Sequence, residues 1–133
     1  MWRWKSKRQL KKKGTAKAMT IQECYKKMGA DYQEVLGRLY NQAMICKFVR
    51  MFLQDDSFQI LEEALRRGDV KEAFRGAHTL KGVCQNLGFS NLYTPTYALT
   101  ETLRAGQLEG TREQFAKVAE QYQRTVDAIR ALD

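Results

Sequence analysis

Apolar residues recur along this chain at steps of three and four rather than two, and that spacing predicts helices throughout. Thr20 and Glu23 form a T-x-x-E capping box that opens a short helix, and Gly29 closes it. Asp31 with Glu34 opens a second, brief helix through Val35, Leu36 and Leu39. From Asn41, a candidate N-cap, the residues Met44, Ile45, Phe48, Phe52 and Leu53 trace one face of a longer helix that should stop near Asp55 and Asp56. Ser57 is the expected cap of the next helix, which turns Ile60, Leu61, Ala64 and Leu65 inward and ends at Gly68.

Asp69 begins a central helix that runs to about Gly88, and in it Val70, Ala73, Ala77, Leu80, Cys84 and Leu87 form a continuous apolar seam. Ser90 or Asn91 should cap the following helix, with Pro95 in or near its first turn, where a missing N–H does least harm, and with an end around Gly106. Thr111 and Gln114 read as a further capping box, and Phe115, Val118, Ala119, Tyr122, Val126 and Ile129 carry the last helix to the C-terminus. The pattern predicts an all-α chain, an antiparallel four-helix bundle with one or two short N-terminal helices packed on it. A single proline in 133 residues agrees with that reading, and the length suits one core rather than two.

Charge changes the picture at the N-terminus only. Residues 1–17 carry eight Lys and Arg and no acid, whereas residues 18–133 hold 15 basic and 15 acidic residues, so the whole net charge of +8 belongs to the first segment. Residues 1–18 therefore read as a basic, disordered tail or an extended start, and residues 19–133 as the folded domain. Trp2 and Trp4 among the lysines would suit phosphate backbones or anionic lipid, so nucleic acid is not expected as a partner except through residues 1–18. Cys24, Cys46 and Cys84 form no CxxC pair, which suggests neither a disulfide framework nor a metal site. With no apolar run of membrane-spanning length and no signal-peptide pattern, a cytoplasmic protein is expected.

The candidate chemistry lies on the wet side of the central helix. At about 100° per residue, His78, the chain's one histidine, points roughly 130° from the seam, toward solvent. Lys71, Arg75 and Lys81 lie on the same side, and Gly82 stands one turn after the histidine with no side chain. A glycine in mid-helix costs about 1 kcal/mol relative to alanine, so close approach of another molecule is the natural explanation. A neutral imidazole is a competent nucleophile near pH 7. Phosphoryl transfer also needs cations on the equatorial oxygens, which Lys81, supported by Arg75, could supply. A phosphate-cradling glycine loop is missing, as is a second histidine to serve a Ser or Cys nucleophile, and the length leaves no room for a nucleotide-binding domain.

Ala77-His78-Thr79-Leu80-Lys81-Gly82, followed by Asn86-Leu87-Gly88, closely resembles the signature of histidine-containing phosphotransfer domains, approximately A-H-x-L-K-G with a second glycine ten residues after the histidine. The resemblance spans residues 20–132, with the specific motif confined to 77–88. It implies that His78 accepts a phosphoryl group from a receiver-domain aspartate and passes it to another, that Lys81 stabilises the phosphorylated state, that Gly82 admits the receiver, and that Gly88 ends or bends the helix. It implies response-regulator receiver domains and a hybrid sensor histidine kinase as partners, and no small-molecule substrate. The chain would be a relay rather than an autonomous kinase and would bind no cofactor or metal itself, the Mg2+ belonging to the receiver. Val83, Cys84 and Gln85 depart from the small residues usual after the lysine and glycine; Gln85, on the His78 face, would bear on partner choice. Lys71, Phe74, Arg75, Gln85, Gly88 and Phe89 are the candidate partner-binding positions, with Phe74, Phe89 and Tyr93 as apolar contacts for a receiver helix. A helical adaptor without phosphotransfer is the alternative.

Overall fold

The computed structural model describes residues 19–132, so the basic segment 1–18 lies outside the described residues. Those described fold as α1 (Ile21–Met28), α2 (Tyr32–Leu39), α3 (Gln42–Met51) with a 3-10 turn at Phe52–Gln54, α4 (Ser57–Arg67), α5 (Val70–Leu87), α6 (Ser90–Arg104) and α7 (Thr111–Arg130). The described part of the chain is all-helical, as its periodicity predicts, and the one strand-like pairing among the described residues joins Met19 to Leu132.

Three helices end on glycines in the left-handed region, Gly29, Gly68 and Gly88, and in each case the next residue's N–H reaches back to a carbonyl five residues earlier. Thr20 and Glu23 form the expected reciprocal capping box, and Asn41 accepts from the Met44 N–H at 3.0 Å. Three boundaries differ from expectation. Asp55, rather than Ser57, satisfies the start of α4, its carboxylate accepting from both the Ser57 N–H and hydroxyl. Thr111 is the first helical residue of α7, one past the cap position held by Gly110, and its hydroxyl donates back to Leu108 O at 2.6 Å instead of capping. Ser90 opens α6 without a side-chain cap, which puts Pro95 sixth in the helix, just beyond the first turn.

α4 packs on α5, α5 on α6 and α6 on α7, while α1 lies against α7 and α2 against α3. Ile21, Tyr25, Met28, Ile45, Phe52, Leu61, Leu80, Leu92, Leu99 and Ile129 fill a shared core. Phe52 and Phe89 meet edge to face at 5.2 Å and Phe58 stacks on Tyr122 at 3.9 Å, giving the core oriented aromatic contacts as well as buried area. At Gly76, α5 lies close against α4: a Cβ there would lie 2.9 Å from Leu61 N.

The N-terminal helices finish what α5 leaves open. The last carbonyls of any α-helix lack intrahelical partners, and here Arg38 Nη1 donates to Gln85 O at 2.7 Å and to Asn86 O at 2.9 Å, while the buried Tyr25 hydroxyl donates to Leu87 O at 2.5 Å. Burial pushes the Tyr25 phenol far above its usual range, which keeps it a donor. Tyr25→Phe is expected to lower stability by about 1–2 kcal/mol, because Leu87 O stays buried without its donor; a shift of the urea midpoint at constant slope checks this.

Candidate functional site

The Asp69 carboxylate accepts from the Glu72 N–H at 3.0 Å and opens α5. Ala73, Gly76, Ala77, Leu80, Cys84 and Leu87 then turn inward. That phase is what sends His78, Lys71, Arg75 and Gln85 to the surface, all four being exposed. Burial pushes the Cys84 thiol far up, so it behaves as a small apolar core residue.

Around His78 the side chains form two ring-and-cation pairs across the α5–α6 groove. The half-buried Phe74, one turn earlier on α5, stacks on the imidazole with centroids 5.5 Å apart and planes 21° from parallel, and the Arg104 guanidinium of α6 lies 5.0 Å from the Phe74 ring. Lys81 Nζ sits 5.7 Å over the ring of Tyr97, also from α6, and Tyr97 stacks on Tyr93 at 6.0 Å. Gly82 has open space: an added Cβ would meet nothing within 4 Å. Packing within the domain therefore explains Gly76 but leaves Gly82 unexplained.

The other candidate positions divide. Arg75 is engaged by Glu72, with its Nε 3.2 Å from one carboxylate oxygen and Nη2 close to the other, and that pairing holds the Glu72 carboxyl below its usual range. The Gln85 side chain is exposed, and its backbone carbonyl accepts from Arg38. Phe89 and Gly88 are not surface contacts. Phe89 is fully buried, 5.2 Å from Phe52 and 5.7 Å from Tyr25, and a Cβ on Gly88 would lie 3.1 Å from Val35 Cβ. Gly88 and Phe89 form a Schellman ending, in which the residue after the left-handed glycine folds back onto the helix. That rule was a signal for the burial of Phe89. Tyr97 and Arg104 had no comparable signal, since nothing in the spacing of α6 says which of its residues will face His78.

A cleft of about 440 Å3, lined mainly by Leu39, Phe48, Met51, Phe52, Val83 and Leu87, opens on another side of α5, away from the histidine. Among the described residues no group of His, Cys, Asp and Glu could hold a metal, and no helix is long and apolar enough to cross a membrane.

The family model described as Hpt domain matches residues 47–132. The chain belongs to the Hpt domain family. Hpt domains act in phosphotransfer within two-component phosphorelays through receiver domains, and the match carries that general role to this chain. The matched Hpt segment begins within α3, so α1 and α2, which supply the donors at the end of α5, precede it. No curated protein and no solved structure matches the chain.

Proposed function

We propose that the protein is a phosphorelay intermediate in which His78 takes a phosphoryl group from the aspartate of a response-regulator receiver domain and hands it to another such aspartate, downstream of a hybrid sensor histidine kinase. The observation that carries this is the pairing of an exposed imidazole with Lys81 and with an adjacent helical glycine, Gly82, for which the domain itself has no packing need.

In the forward step the lone pair of one imidazole nitrogen attacks phosphorus in line, forming a P–N bond as the acyl P–O bond breaks. The bonding pair leaves on the receiver's carboxylate oxygen, and the imidazolium releases its remaining ring proton to water. Lys81 offsets charge on the phosphoryl oxygens. The stack with Phe74 fixes the plane of the ring, so part of the orientational cost of attack is met before the receiver arrives. Mg2+ comes with the receiver, and this chain binds no cofactor. α4 to α7 serve as an antiparallel four-helix scaffold, a reading supported by sequential packing and by short turns such as Gly68–Asp69. The protein would work in the cytoplasm.

The test is chemical. When the chain is incubated with a receiver domain charged by acetyl phosphate and Mg2+, the phosphate it acquires should be labile in acid and stable in base, with a 31P resonance of a phosphoramidate. Acid-stable phosphate, or none from any receiver of the source cell, overturns the reading.

A further inference from the structure

We infer that Tyr97 is a positioning residue for Lys81, holding the ammonium in reach of the phosphoryl group on His78; the inference rests on the phosphoacceptor reading above. Lysine's four-carbon stem has many rotamers, and an ammonium free to sample them spends little time over any one neighbour. Here Nζ lies 5.7 Å from the Tyr97 centroid, within the roughly 6 Å range of cation–π attraction.

Tyr97 has little other reason to be aromatic. It is 46% exposed, so the core does not need it, and among the described residues the ring it stacks on is Tyr93, a turn earlier on α6. The Tyr93–Tyr97 stack braces the ring that faces Lys81. Lys81 is itself half-buried in the α5–α6 groove, three residues after His78 on α5. A lysine at that spacing is on the same surface as the histidine, and a ring beneath it restricts the stem while leaving the ammonium's donors free to turn to phosphoryl oxygens.

Phosphohistidine lifetime in the full chain after removal of the receiver reads this directly, since no docking contact contributes. Tyr97→Leu is expected to shorten the half-life and to slow phosphoryl acceptance, each by about three- to fivefold, the size of an exposed cation–π contact. Tyr97→Phe, which keeps the ring face, should restore most of the loss. In a Lys81→Ala background, Tyr97→Leu should add nothing. An unchanged half-life in Tyr97→Leu, or a loss that persists in the Lys81→Ala background, overturns the inference. Acid-labile phosphate on a His78→Gln chain would instead overturn the phosphoacceptor reading beneath it.

Discussion

A His78→Gln protein is expected to acquire about a thousandfold less acid-labile phosphate than the wild type, or none, while unfolding within about 2–3 °C of it. The two halves of that expectation come from different observations. His78 is exposed and stacks on Phe74, so its removal leaves the core and the helix hydrogen bonds untouched. Glutamine is at least as good a helix former as histidine and is of comparable reach. Its amide nitrogen, however, has no available lone pair and cannot form the P–N bond, so the group lost is the nucleophile itself. Melting curves together with filter-bound phosphate after exposure to a charged receiver check both halves. Equal labelling of the two proteins would move the acceptor elsewhere.

Gly76→Val should have the largest effect on stability, about 2–3 kcal/mol or more, seen as a fall in the urea midpoint. A Cβ at Gly76 would lie 2.9 Å from Leu61 N and 3.1 Å from Leu61 Cα. Those are backbone atoms of α4, which cannot swing aside as a side chain can, so the two helices must separate along their contact. The gain from replacing a helical glycine, about 1 kcal/mol at most, does not offset that loss. Gly82→Ala is the matched contrast. With nothing within 4 Å of the new methyl group, it should raise stability by up to about 1 kcal/mol and yet slow acceptance from the receiver. Two glycines six residues apart on one helix would then be separated by experiment into one that packs and one that receives.

Much of this was legible in the chain. The seam through Ala73, Ala77, Leu80, Cys84 and Leu87 gives the phase of α5, and the phase alone puts His78 on the wet side. Gly29, Gly68 and Gly88 mark helix ends because only glycine takes a left-handed backbone without a penalty. The misread starts share a cause: Ser57 and Thr111 can cap or be capped, and the competing donors and acceptors at Asp55 and Leu108 O become visible only in three dimensions. Arg75, expected to support Lys81, is instead paired with Glu72 three residues before it, a spacing at which helical side chains meet. Tyr97 and Arg104 depend on how α6 docks against α5, which no local pattern encodes.

The donors from Tyr25 and Arg38 carry a practical meaning for anyone who would graft this module into another receptor. The segment that similarity marks out and the segment that must travel together are different lengths of chain. A fusion cut at residue 47 would leave the acceptor helix without the Arg38 and Tyr25 donors to its last carbonyls and Phe89 without its Tyr25 contact, and its activity would report on fraying as much as on phosphate. A graft beginning at Met19 keeps α1 and α2 with the rest and lets the joint fall before the first cap.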